Sequence, residues 1–89
     1  MTTTTAPAAE QAVADARNTY RVAQEHLDHL KAQILTDGPE AVSAKELATA
    51  AGVVEHARLS VQHALAELDT ARGDERMQQL AQLKATILE

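Results

Sequence analysis

Two of the four histidines stand three residues apart in the stretch QEHLDHL, which runs from Gln24 to Leu30. Residues at this spacing are neighbours on one face of a helix, so His26 and His29 would lie side by side between acidic residues. Imidazole and carboxylate groups bind zinc and transfer protons in many proteins. The stretch therefore raises the question of a metal site or an acid–base site.

The elements that position these histidines follow from the apolar spacing. Pro7 suits the first turn of a helix, where its missing N–H is not needed. The steps between apolar residues then alternate between four and three, which is the heptad pattern of a helix packed against a neighbour. This stripe consists of Ala9, Val13, Ala16, Tyr20, Ala23, Leu27, Leu30 and Ile34. We predict a disordered tail over residues 1–6 and a helix over residues 7–37.

A turn and a second helix start come next. Gly38 suits the positive-φ residue just past a helix end, and Pro39 prevents continuation. Ser43 and Glu46 are spaced as a capping box, in which each residue can satisfy a free backbone N–H at the helix start. The second helix is therefore predicted to begin at residue 44.

The second helix repeats the heptad pattern of the first. Val42 and Leu47 occupy the two positions of a hydrophobic staple. The stripe that follows consists of Leu47, Ala50, Val54, Ala57, Val61, Ala64, Leu68 and Ala71. We predict a helix over residues 44–72 that pairs antiparallel with the first, because the connection is short.

Two alignments of the stripes place large residues against small ones. The first pairs Leu27 with Ala57 and brings Glu10 close to Arg72. The second is slipped by one heptad and pairs Leu27 with Ala50. We prefer the first alignment.

The heptad pattern ends after Ala71. Gly73 can stop a helix and Asp74 can cap a new one, which predicts a break and a third helix over residues 75–88. Glycine inside a helix costs only about 1 kcal/mol, so an unbroken second helix is the alternative. The new apolar face consists of Met77, Leu80, Leu83, Ile87 and Leu88, which are our interface candidates.

The predicted fold is thus all-α. It is an antiparallel two-helix coiled-coil hairpin with a short C-terminal helix, in a single domain over residues 7–89 that can assemble as a helical bundle.

All four histidines fall along one edge of the predicted hairpin. A zinc site formed by His26, His29 and His56 is conceivable, because neutral imidazoles are good zinc ligands. Outer side chains on opposite helices diverge, and no carboxylate is placed to orient each ring. We therefore predict no metal site and interpret the edge as a contact or solvated surface.

Catalytic signatures are also missing from the sequence. There is no G-x-S-x-G, no P-loop and no H-E-x-x-H. A two-helix hairpin rich in alanine encloses no pocket that would exclude water and shift a pKa. We predict no enzyme activity, no catalytic residues, no cofactor and no small-molecule substrate.

Composition and the N-terminal sequence indicate which classes of partner and which cellular compartment to expect. The net charge is −5 and Tyr20 is the one aromatic residue, so direct nucleic-acid binding is not expected. The start MTTTTAP has no features of a signal peptide, and no apolar run approaches the length of a membrane span. These features predict a soluble cytoplasmic protein that contacts no membrane.

One part of the sequence resembles a known group of proteins. Val42, Ser43, Glu46 and Leu47, together with the run EHARL over residues 55–59, resemble small Ala-rich helical proteins of actinobacteria and their phages or mobile elements. The resemblance covers about a third of the chain. It implies a helical protein and carries no activity.

The function predicted from these features is a structural or protein-interaction module. Its partner is a second copy of the chain, in a homodimer or larger assembly, or another protein. The alternative is a small acidic regulator or inhibitor that binds a nucleic-acid-processing protein.

Overall fold

The computed structural model of the chain describes residues 5–88, and its side chains as far as residue 85. This part of the chain forms two helices, α1 (Ala6–Asp37) and α2 (Ala44–Leu88), which pack against each other. The all-α prediction and the predicted helical hairpin are therefore confirmed. The hairpin is elongated, with extents of 75 × 21 × 13 Å.

Helix α1 begins slightly earlier than predicted. Thr5 is its N-cap, and the Thr5 hydroxyl accepts a hydrogen bond from the backbone N–H of Ala8 at 3.4 Å. Ala6, which was assigned to the disordered tail, is the first helical residue and is buried. The remainder of the predicted tail, residues 1–4, lies outside the described residues.

The connection between the helices follows the sequence prediction. Helix α1 ends at Asp37, and Gly38 has a φ of 101°, a region that favours glycine. The N–H of Gly38 donates to the carbonyl of Ile34 at 2.9 Å, which satisfies one of the last helical carbonyls. The chain can therefore turn sharply while keeping the helix end paired.

Helix α2 begins at the predicted cap. The Ser43 hydroxyl oxygen accepts a hydrogen bond from the backbone N–H of Glu46 at 3.0 Å. Val42 is buried, and Leu47 packs against the cluster that contains it, as a hydrophobic staple requires. This local chemistry fixes where the second helix enters the hairpin.

The predicted third helix is wrong, because α2 continues without interruption through Gly73 to Leu88. Gly38 is the one positive-φ glycine among the described residues, so Gly73 keeps a helical backbone. Stopping the helix there would leave carbonyl and N–H groups unpaired on both sides of the break. The unbroken helix keeps these groups paired and includes glycine at a cost of only about 1 kcal/mol.

The core is a narrow seam between α1 and α2, with one cluster near each end. The cluster near the loop contains Leu27, Leu30, Val42 and Ala50, with Ile34, Leu47 and Val54 packed against it. The cluster at the open end contains Ala9, Val13, Ala64, Leu68 and Ala71, with Ala16 beside it. Alanine supplies much of this seam, so the helices can approach closely but bury few large side chains.

The predicted proximity of Glu10 and Arg72 is also confirmed, by an ion pair that joins the two helices. This contact favours the first of the two alignments. A slip of one heptad would displace Arg72 by about 10 Å along the helix axis.

The two helices differ in length, and this difference creates the main exposed feature of the protein. Helix α1 has 32 residues and α2 has 45, so α2 is longer by about 20 Å at the usual rise per residue. The first turns of α1 lie beside Ala71 and Arg72. The alignment that pairs Leu27 with Ala57 places Ala6, the first residue of α1, level with about residue 78 of α2. The last turns of α2 therefore extend beyond α1, and we call residues 77–88 the overhang.

Candidate interaction surface

The overhang carries apolar side chains that nothing in the hairpin covers. Met77, Leu80 and Leu83 are 69%, 55% and 58% exposed, although burial of such side chains is favourable. The side chains of the other two interface candidates, Ile87 and Leu88, lie outside the described residues. The structure thus places the described candidates on an open surface rather than in a three-helix core.

The apolar face of the overhang points away from the direction in which α1 lies. The first three residues that continue the hairpin seam by heptad spacing are polar, namely Glu75, Gln78 and Gln82, and the small residue Ala85 follows them. Leu80 lies on the opposite side of the same helix. An extension of α1 would therefore meet mainly polar residues. The apolar face is open to a partner on the side of α2 opposite to α1.

The same face continues along the hairpin, which the sequence prediction missed. Five residues follow one another at intervals of seven on the side of α2 opposite to α1: Gly52, Leu59, Ala66, Gly73 and Leu80. We call these five residues the back face. Leu59 is 50% exposed, comparable to Leu80. The spacing becomes visible once α2 is read as one unbroken helix, whereas the predicted break at Gly73 divided it in two.

The histidines are exposed, and they do not form a metal-binding cluster. His26 lines an open groove of about 390 Å³ with Leu30 and Val53, among other residues. His29 lies in a separate surface depression toward the end of α1. Within the described residues, no group of three or more histidine and acidic side chains is placed to hold a metal ion.

A second open groove, of about 350 Å³, lies on the other flank of the hairpin. Its lining includes Tyr20, Arg17 and Arg58. Both grooves lie open on the surface of the narrow hairpin. Among the described residues no polar or charged residue is buried, so neither groove brings a sequestered polar group to a bound molecule.

One exposed ion pair on α2 shows shifted pKa values. Arg58 donates through Nε and Nη2 to the two carboxylate oxygens of Glu55, with an Nε–Oε2 distance of 2.9 Å. The hydrogen bond from Arg58 and the attraction of its charge lower the pKa of Glu55. The same hydrogen bond and charge raise the pKa of Arg58. This geometry is that of a surface contact within one helix.

Other cationic side chains are also paired. Arg21 lies 3.0 Å from Glu25, and Arg72 lies 3.2 Å from Glu10. His63 lies 3.6 Å from Glu67, a contact that becomes an ion pair when the imidazole is protonated. Charges of both signs are thus interleaved along the hairpin.

Comparisons with protein-family models, with curated protein sequences and with solved structures each found no match to this chain. No helix among residues 5–88 is long and apolar enough to cross a membrane.

Proposed function

We propose that this protein is a non-enzymatic structural or protein-interaction module that associates with itself, as a homodimer or as a subunit of a larger assembly. The observation that carries the proposal is the overhang of α2. It is a helical segment whose described large apolar side chains, Met77, Leu80 and Leu83, are exposed and whose seam positions are mostly polar.

An exposed apolar helix face is costly for an isolated chain. Full burial of a leucine or methionine side chain contributes about 1.5–3 kcal/mol relative to its exposed state. Leu80 and its neighbours retain more than half of their exposure in the hairpin. A partner that covers them gains free energy that the hairpin alone cannot supply.

The hairpin itself supports a binding role over a catalytic one. Its grooves are open, and the described residues include no buried polar or charged residue. General acid–base catalysis relies on a group whose pKa is tuned by its surroundings. The perturbed groups here, Glu55 and Arg58, are already bonded to each other on an exposed surface.

Two exposed leucines offer a matched test. Leu80 lies on the overhang, whereas Leu35 lies near the end of α1 and is 87% exposed. We expect Leu80→Asp to lower the average molar mass in light scattering at high micromolar concentration. Leu35→Asp adds the same charge, and its average molar mass should equal that of the unmodified protein. An equal effect of both variants, or of neither, would remove the overhang from the proposal.

Salt separates this proposal from the acidic-regulator alternative. Apolar docking changes little with ionic strength, whereas binding through acidic faces weakens as salt screens the charges. We expect the association of the protein to change little between low and high salt. A steep loss of association in high salt would instead favour contacts between charged surfaces.

A further inference from the structure

The back face of α2 combines large and small side chains. Leu59 and Leu80 are large, while Gly52, Ala66 and Gly73 are small. A Cβ atom built on either glycine would meet nothing within 4 Å, so both glycines face open space. The face therefore has two large residues and three small ones at one heptad position, opposite the seam.

We propose that a second copy of this chain covers the back face, with α2 antiparallel to the partner's α2 and a two-fold axis at Ala66. This inference rests on the proposed self-association and specifies its geometry. With the axis at Ala66, Leu59 lies level with the partner's Gly73, and Leu80 lies level with the partner's Gly52. Each large residue of the back face then meets a small one, which allows close helix approach without voids.

Charge supports the same arrangement. Arg76 has no ion pair within the described part of the chain, and it lies on one flank of the back face. The two-fold axis brings it level with residue 56 of the partner, beside the partner's Glu55 on the same flank, where it would join the exposed pair that Glu55 forms with Arg58 of its own chain. On the other flank, Lys84 comes within two residues of the level of the partner's Glu46. Each contact occurs twice in a symmetric dimer.

The one hydroxyl in the middle of this surface is already satisfied. Thr70 lies next to the back face, and its hydroxyl donates to the carbonyl of Ala66 at 3.1 Å. A partner helix that covers Thr70 therefore leaves no unpaired donor there, which would otherwise cost about 1–3 kcal/mol.

The arrangement also uses more of α2 than pairing through the overhang alone. The paired region would extend from residue 48 to residue 84 of each chain, about 55 Å of helix. A dimer centred on the overhang would set Leu80 against the same residue of the partner and leave Leu59 exposed. The axis at Ala66 covers both leucines.

Single-cysteine variants test this geometry, because the chain contains no cysteine. A disulfide requires Cα atoms about 4.4–6.8 Å apart. Ala66→Cys places the two thiols at the proposed axis, so we expect a disulfide-linked dimer after mild oxidation of the full chain. The equivalent positions are separated by about 21 Å for Leu59→Cys and by about 42 Å for Leu80→Cys, so those variants should remain unlinked.

The outcomes of the cysteine experiment test the axis at Ala66 separately from self-association. Linkage at all three positions would indicate parallel helices, and linkage at Leu80→Cys alone would indicate pairing through the overhang. Either result, or a dimer in solution that links at none of them, would overturn the Ala66 axis while leaving self-association intact. A monomer at high micromolar concentration would overturn the self-association as well.

A charge at the axis gives a second, independent measurement. Ala66→Glu lies on an exposed helix surface, so the hairpin should fold as before by circular dichroism. We expect it to weaken dimer formation at least tenfold, since two carboxylates would meet at the axis. Ala32→Glu, on the outer face of α1, is the control and should dimerise like the unmodified protein. Equal dimerisation of the two variants would contradict the proposed axis.

Discussion

Arg72 Nη2 lies 3.2 Å from Glu10 Oε1, although 62 residues separate them in the sequence. The ion pair joins the second turn of α1 to α2 between one and two turns before the overhang begins. Both side chains remain about half exposed. The contact therefore marks the alignment of the helices more than it stabilises them.

The energetic contribution of this pair is expected to be small. Exposed ion pairs contribute about 0–1 kcal/mol. A double-mutant cycle with Glu10→Gln and Arg72→Gln should give a coupling free energy in that range by urea unfolding, and it should shrink in high salt. A coupling above about 2 kcal/mol would contradict the exposed environment that the structure gives these residues.

The start of α2 should depend more strongly on a single hydroxyl. Ser43→Ala removes the acceptor for the N–H of Glu46, and loss of an N-cap typically costs about 1 kcal/mol. We expect that decrease in the free energy of unfolding. Ser60→Ala is a suitable control, because the Ser60 hydroxyl only donates to the carbonyl of His56 within α2. Equal losses for the two variants would argue against a specific cap.

These local features could be predicted from the sequence because each depends on residues close together in the chain. Ser43 and Glu46 define a helix start within four residues, and Gly38 followed by Pro39 defines a helix end. The heptad stripes likewise predicted that α1 and α2 pair. Short-range chemistry was sufficient in each case.

The sequence prediction missed the continuation of α2 through Gly73. A glycine followed by Asp74 matches a helix stop and a new cap, but the same residues are tolerated inside a helix at modest cost. The outcome depends on the balance between that cost and the unpaired backbone groups at a break, which a pattern does not weigh. A break at Gly73 would separate Leu80 from Gly52, Leu59 and Ala66, so the sequence pattern does not predict that they share one face.

The three glycines provide a direct test of this balance. Gly73→Ala and Gly52→Ala replace helical glycines with nothing within 4 Å of the new Cβ, so each should stabilise the monomer by about 0.5–1 kcal/mol. Gly38→Ala should destabilise it, because φ is 101° there. Unfolding at a concentration low enough to keep the chain monomeric measures all three. Destabilisation by Gly73→Ala would indicate that α2 breaks at this residue.

The exposed pair of Glu55 and Arg58 makes a prediction about pH. Arg58 lowers the pKa of Glu55 from its ordinary value of 4.5, so the pair favours the folded state above that value. This contribution is lost as the pH falls through the lowered pKa. We expect Arg58→Gln to raise the pKa of Glu55 toward 4.5 in an NMR titration of the side-chain carboxyl. Arg21→Gln, which removes a different pair, should leave the pKa of Glu55 unchanged. An unaltered Glu55 titration in Arg58→Gln would show that the pair does not persist in solution.

The central claim is that the uncovered apolar surface of α2 brings copies of this chain together. Sedimentation equilibrium of the unmodified protein, from low to high micromolar concentration, tests it most directly. We predict a mass that rises with concentration from that of one chain, 9.5 kDa, to twice that value or more. A mass that stays at 9.5 kDa throughout the series would contradict the claim.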